Sequence, residues 1–142
     1  MIIKVGKSLP FVAVMGLYES VGWSVYTSKP DSLMAALENS DYVLSAWEED
    51  ELIGLARAVT DDVSIFYLQD LLVAPNYQRQ GVGRKLLTHC LERFAHVRVK
   101  ALLTDDEKRQ HSLYESMGFT NARNIKTTPL SVFLQTTNAT LE

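Results

Sequence analysis

The chain has 142 residues, 46% apolar and 22% charged, with a formal net charge of −3. That length supports one hydrophobic core, and the balance fits a globular domain while excluding a disordered or coiled-coil chain. The weakly acidic charge lacks the basic footprint of a nucleic-acid binder, so no nucleic-acid partner is expected.

Ile2–Val5 is open as a short strand. Residues 11–18 are predicted as a helix, although Leu9, Val12 and Leu17 define its apolar face poorly. Gly22 punctuates the chain, and residues 24–29 read as a loop. Pro30 suits a first helical turn with Ser28 as its cap. Leu33, Met34 and Leu37 recur at helical spacing and predict a helix over 31–38. Residues 42–47 and 51–59 read as antiparallel strands around the charged turn Glu48-Glu49-Asp50, with Gly54 marking a bulge or a close approach. After Asp61-Asp62, residues 63–73 form a long strand rich in Ile, Phe, Tyr, Leu and Val. Pro75-Asn76-Tyr77 stops it. Residues 81–94 are a strong helix with Val82, Leu86, Leu87, Cys90 and Leu91 on one face. Residues 97–103 read as the next strand, which implies a right-handed crossover and parallel pairing there. Residues 107–117 form another helix, closed by Gly118 in a left-handed cap. Strands at 119–123 and 130–135 complete the sheet. The expected fold class is α+β, a mixed, mostly antiparallel central sheet flanked by helices, in one domain over residues 1–135. Residues 136–142 are expected to be a disordered tail, with Leu141-Glu142 reading as a cloning remnant.

Cys90 is the single cysteine. It allows no internal disulfide or thiolate cluster, and its place on an apolar helix face reads as a core thiol. His89, His96 and His111 are isolated, without metal-ligand spacing, and no metal is expected. The start lacks a sustained apolar leader, and no stretch reaches the length of a spanning helix. A cytoplasmic location without a membrane partner is expected. The acidic run Glu48 to Glu51 reads as a solvated turn.

The chemistry concentrates in Gln78-Arg79-Gln80-Gly81-Val82-Gly83. A strong strand ends, a short loop follows, and two glycines open a helix. The first helical turn offers unpaired N–H groups and a favourable dipole, and glycine lets the backbone approach a phosphate closely. Arg84 and Lys85 add positive charge. Leu86 stands where a third glycine of the dinucleotide fingerprint would be, and no Gly-Lys-Ser or Gly-Lys-Thr occurs, so the turn is neither a dinucleotide nor a Walker loop. The competing reading is a plain capped helix whose glycines permit packing.

The stretch from Leu68 to Leu87 resembles the central motif of the GNAT superfamily of N-acetyltransferases, whose core is Gln/Arg-x-x-Gly-x-Gly/Ala; Gln78, Gly81 and Gly83 match it. Leu113-Tyr114-Glu115-Ser116-Met117-Gly118-Phe119 resembles the family's second signature, with Leu113 in place of the usual Phe. Leu17-Tyr18-Glu19-Ser20-Val21-Gly22-Trp23 resembles a sub-group of small bacterial members. The resemblance covers nearly the whole chain. It implies the acyl-coenzyme A N-acyltransferase fold and acetyl-coenzyme A as cosubstrate. Leu71, Leu72, Val73, Gln78, Arg79, Gln80, Gly81, Val82, Gly83, Arg84 and Tyr114 would bind the coenzyme. The amides from Gln80 to Arg84 would hold the pyrophosphate, and the backbones of Leu71 and Val73 would pair with the pantetheine arm where the central strand splays from its neighbour. The asparagine that the family often carries before the second motif falls near Glu107 and does not match.

The implied reaction moves an acetyl group to a primary amine by direct attack in a ternary complex. Small-molecule and peptide amines are both open as acceptors. A coenzyme-binding sensor and a transferase of longer acyl groups are the alternatives. Tyr114 matches the tyrosine near the coenzyme sulfur and is the candidate general acid. Asp70 is the candidate base or amine ligand. By strand alternation it shares a face with Leu72, while Gln69, Leu71 and Val73 share the other, unless a bulge disturbs the parity. Glu19, Trp23, Tyr26 and Phe66 are candidates for the acceptor side, the aromatics through cation–π contact; Trp23 and Tyr26 read equally as plugs of the helix pair, and Phe66 reads as core. Many small members of the family are dimers, which opens a homodimer joined through the C-terminal strand.

Overall fold

Five strands, β1 (Ile2–Val5), β2 (Tyr42–Glu48), β3 (Glu51–Thr60), β4 (Ile65–Val73) and β5 (Val99–Leu102), form one sheet in that order in the computed structural model, which describes residues 1–137. Each of β1 to β4 runs antiparallel to its neighbour, and β5 joins β4 in parallel. The helices are α1 (Phe11–Ser20), α2 (Ser24–Thr27), α3 (Pro30–Asn39), α4 (Val82–Arg93) and α5 (Lys108–Ser116), with 3-10 turns at Pro75–Tyr77 and Ala122–Asn124. This is the expected mixed α+β sheet. The chain divides into two compact units, Met1–Leu103 and a second beginning at Thr104. The expected tail lies outside the described residues from position 138 onward.

The first unit is a sheet covered on both faces. Val14, Leu17 and Tyr18 of α1 and Leu33 and Leu37 of α3 pack on Val43, Leu55 and Leu72 of the strands. On the other face, α4 lies close over β3. A Cβ added to Gly54 would stand 3.0 Å from Val82 Cγ1 and 3.1 Å from Leu86 Cδ1. Farther along the helix, Phe94 meets the rings of Phe66 and Tyr42, each at 4.8 Å. Each such buried side chain contributes roughly 1.5–3 kcal/mol. Gly54 is therefore a site of close approach. It also adjoins a bulge, since Ala46 pairs with Gly54 and Trp47 with Leu52, leaving Ile53 unmatched.

A second bulge matters more. Arg57 pairs with Asp70 and Ala58 with Leu68, so Gln69 has no partner in β3. Phe66, before the bulge, packs toward α4, whereas Leu72, beyond it, packs with α1 and α3. One extra residue carries the buried positions of β4 from one face of the sheet to the other.

Four local expectations need correction. Residues 24–29 are not an irregular loop: Ser28 N–H reaches Ser24 C=O at 3.0 Å and closes the short α2. Ser28 does not cap α3. Lys29 takes the cap position without a side-chain bond, and Pro30 opens the helix. The long strand starts at Ile65 rather than Val63, because Asp61 Oδ1 accepts the N–H groups of Val63, Ser64 and Ile65 and folds that stretch into a turn. No strand forms at 119–123 or 130–135 among the described residues. Phe119 is engaged in a helix cap described below, and Asn121 accepts Arg123 N–H to make a 3-10 turn. Val132, Phe133 and Leu134 are consecutive and all exposed, so the segment buries neither face.

Candidate functional site

Strand β4 supplies the first part of the site. Its pairing with β5 runs from Ile65↔Val99 to Leu68↔Leu102 and stops. Ala74 N–H donates to Ile53 C=O at 2.8 Å. By the alternation of an antiparallel ladder, Leu72 turns its backbone toward β3, and Leu71 and Val73 turn theirs toward the edge that β5 has left. The departure begins at the Gln69 bulge.

The strand then feeds a shaped turn. Gln78 Nε2 donates to Val73 C=O at 2.9 Å, which ties the loop to the end of the strand. Arg79 and Gly81 both lie in the left-handed region, at φ 63° and 85°. Alternating handedness of this kind turns successive N–H groups toward one concavity, a geometry suited to an anion. Gly81 stands at the N-cap of α4 and brings no side chain to cap it. Gly83 lies inside the first turn, where an added Cβ would make only an ordinary 3.6 Å contact with Val73; packing against the protein does not demand glycine there. Val82 points the other way, into the core under Gly54. The exposed turn combines a helix N-terminus, close backbone access at glycine and the adjacent charges of Arg79, Arg84 and Lys85.

The third part is a buried polar network on the α1 face. Asp70 is 3% exposed and Arg57 7% exposed. Arg57 Nε donates to Asp70 Oδ2 at 2.9 Å. Tyr18 OH donates to Oδ2 at 2.9 Å, and Tyr26 OH donates to Oδ1 at 2.8 Å. Arg57 Nη2 reaches Tyr26 OH at 3.1 Å, and Gln69 Nε2 reaches the same oxygen at 3.3 Å. Burial lowers the basicity of Arg57, but the Asp70 carboxylate more than offsets this and holds the guanidinium above its ordinary value. Burial, reinforced by Asp70, pushes both Tyr18 and Tyr26 upward, so both stay protonated. The rings of Tyr18, Trp23 and Tyr26 form a mutual cluster, with Tyr18 to Tyr26 at 5.2 Å.

In the second unit, the motif around Tyr114 is a helix stop. Phe119 N–H donates to Tyr114 C=O at 3.0 Å and Gly118 N–H to Glu115 C=O at 3.1 Å, with Gly118 at φ 93°. The Phe119 ring packs edge-on against Tyr114 at 5.8 Å. This is the Schellman arrangement with its hydrophobic contact, and it explains the Tyr-x-x-x-Gly-Phe spacing. Burial pushes the Tyr114 phenol upward.

Several expected site residues take other places. Asp70 is committed to three donors, one of them a guanidinium, so it is not a carboxylate free to collect an amine proton. Phe66 is 1% exposed and packs on Phe94, so it is core rather than acceptor wall. Leu72 is core, with its backbone turned to β3. Gln69 does not share the face of Leu71 and Val73; the bulge brings its side chain to Tyr26. Glu19 is exposed near the end of α1, and Trp23 and Tyr26 are half-buried around the network. Arg79 and Arg84 are exposed beside the turn, and Gln80 Nε2 ties back to Asn76 C=O at 3.1 Å. Cys90 is buried and its thiol is pushed up to about 12, as suits a core position. Arg57 and Tyr18 were not anticipated. The signal for Arg57 was a lone cation in the apolar run of β3 together with the lone Asp70 in that of β4, since unpaired charges are not buried in sheet centres; Tyr18 left no such signal.

The family model for GNAT acetyltransferases matches residues 13–119. An uncharacterized N-acetyltransferase, ycf52-like, of Prochlorococcus marinus is 28% identical over 118 residues, covering 80% of this chain and 64% of that protein. This chain spans less than two thirds of the length of such curated relatives. The solved structure of a GNAT-family acetyltransferase from Streptococcus pneumoniae superimposes with a TM-score of 0.80 at 31% identity, over 95% of this chain and 98% of that one. The PaiA N-acetyltransferase of Thermoplasma acidophilum, solved in complex with coenzyme A, shares the fold at a TM-score of 0.70 and 16% identity, over 89% of this chain and 94% of that one. With two motifs, the split β4 edge and this fold in agreement, the chain belongs to the GNAT family of acetyltransferases.

Proposed function

We propose that the chain transfers the acetyl group of acetyl-coenzyme A to a primary amine, by direct attack within a ternary complex. One observation carries the reading: the β4 edge abandoned by β5 runs directly into the left-handed turn at Gly81, the glycine that caps the start of α4. The backbones of Leu71 and Val73 pair with the amides of the pantetheine arm as an added strand would. Gln78 already takes the Val73 carbonyl, so the remaining edge groups are Leu71 N–H and C=O and Val73 N–H. The first-turn amides at Val82 and Gly83 hold the pyrophosphate, with Arg79 and Arg84 supplying charge.

Tyr114 is assigned by its motif as the donor of a proton to the departing thiolate; its raised pKa keeps it protonated at neutral pH. No nucleophile for an acyl-enzyme is in view, since the one thiol is buried and neutral. Asp70, held by Arg57 and two phenols, serves as a structural anion. The amine therefore loses its proton to solvent or to an ordered water.

Release of free coenzyme A, followed with a thiol reagent across a panel of amines, tests the reading. Amine-dependent release is expected. Coenzyme binding by calorimetry without release for any amine would instead favour a sensor. Tyr114→Phe should lower kcat by about 100-fold with little change in coenzyme affinity; an unchanged kcat would remove Tyr114 from the role.

A further inference from the structure

A phenol oxygen has one proton to give and room to accept two hydrogen bonds. At Tyr26 the proton is spent on Asp70 Oδ1 at 2.8 Å. Arg57, which stays charged at any working pH, fills one accepting position through Nη2 at 3.1 Å. The second accepting position meets Gln69 Nε2 at 3.3 Å, the longest contact at this oxygen. The first two contacts are enclosed, because Asp70 and Arg57 are buried. The third faces outward, because Gln69 is exposed and Tyr26 only half-buried. The network also fixes the Gln69 amide, since a hydroxyl without a spare proton can be met only by the NH2 end.

We propose that the Tyr26 hydroxyl, oriented by the buried Arg57–Asp70 pair, binds the N–H of the acceptor amine as a hydrogen-bond acceptor, with Gln69 as the resident donor that the amine displaces. The proposal rests on the acetyltransferase reading for the identity of its ligand. The site selects for donors. An amine, neutral or protonated, supplies the N–H that the oxygen needs; a carboxylate or phosphate at the same place meets an oxygen with no proton to offer. The Gln69 bulge is what brings this donor to the α1 face, at the point where β4 leaves β5. Tyr26 is thus a specificity-determining residue, and Arg57 is a positioning residue that acts through it.

The test reads amine binding without turnover. The full chain, loaded with coenzyme A rather than acetyl-coenzyme A, is titrated with n-butylamine, benzylamine and lysine, and binding is followed by calorimetry. Tyr26→Phe should weaken amine binding about tenfold or more and leave coenzyme affinity unchanged. Gln69→Ala should tighten amine binding about threefold, because the competing donor is gone. Arg57→Lys should act like Tyr26→Phe, since a single ammonium nitrogen does not reproduce the fork that sets Nε on Asp70 and Nη2 on Tyr26; if it fails to fold, the opposite signs at Tyr26 and Gln69 still decide. Unchanged amine affinity in Tyr26→Phe, weaker binding in Gln69→Ala, or no amine bound by the wild-type protein would each overturn the proposal. Amine binding with the expected pattern but no acetyl transfer would instead overturn the acetyltransferase reading. Transfer with an amine KM unmoved by Tyr26→Phe would overturn the proposal and leave that reading standing.

Discussion

A carboxylate and a guanidinium each cost several kcal/mol to withdraw from water, yet Arg57 and Asp70 sit opposite each other in the middle of the sheet. They remain there because the network answers both groups. Asp70 receives three donors, and Arg57 also reaches Ser40 Oγ at 3.4 Å, while that hydroxyl donates to Ala36 C=O. Removing one partner leaves the other charge buried. Arg57→Met should therefore lower the unfolding free energy by about 3–5 kcal/mol, read from urea denaturation. Asp70→Asn should lose less, since an amide oxygen in the place of Oδ2 still accepts from Tyr18 and Arg57. The double variant should lose at least about 1 kcal/mol less than the sum of the two; strict additivity would show that the two residues do not act as a pair. The pair was half legible in the sequence. Asp70 was singled out as a candidate base or amine ligand, and its shared face with Leu72 was readable from alternation. Its partner was not, because Arg57 and Asp70 become neighbours only through the β3–β4 register, and that register contains a bulge that no period-two pattern announces.

At the level of elements, the site depends on how α4 is seated. Gly54 lets the helix approach β3, and Gly81 lets the chain enter it from a left-handed turn. A methyl at Gly54 meets Val82 and Leu86 at 3.0 and 3.1 Å. Gly54→Ala should thus destabilise by about 1–3 kcal/mol through overpacking, and it should weaken coenzyme binding because Val82 belongs to the first turn of the helix. Gly81→Ala meets no neighbour within 4 Å; its cost is conformational, about 1–2 kcal/mol for the left-handed geometry. Calorimetry with coenzyme A should show weaker binding in both, and retention of full affinity in Gly81→Ala would detach the turn from the coenzyme. These glycines were legible because each broke a strong local pattern, one in a strand and one before a helix. The strands and long helices were legible for the same reason, their periodicity being set by burial. The elements that were misread lack such a face. No residue of α2 is buried, and it is held by Trp23 and Tyr26 packing around the network. The apolar residues at 130–134 looked like a strand only because composition does not reveal whether a partner exists.

For the molecule as a whole, the buried phenols and the thiol set the response to alkali. Burial pushes up Tyr18, Tyr26 and Cys90, the thiol to about 12. The unfolded chain ionises its thiol at roughly 8.5 and its phenols at about 10. Between those values and the folded ones, the unfolded state binds fewer protons than the native state, so stability falls as pH rises. The contribution is fully present below about pH 8 and is lost as the pH climbs toward about 12. Its steepness is bounded at about 1.4 kcal/mol per pH unit for each group. Cys90 acts first, because its unfolded value is the lowest of the three. The urea midpoint should therefore be unaffected by these groups up to about pH 8 and decline above pH 9. Cys90→Ala should lower the whole curve by the cost of its cavity, yet decline less steeply between about pH 8.5 and 10, where the phenols of the unfolded chain are still mostly neutral. A Cys90→Ala curve parallel to the wild type across that window would mean that the thiol ionises as readily in the folded protein as in the unfolded chain, and that the apolar face of α4 does not shield it.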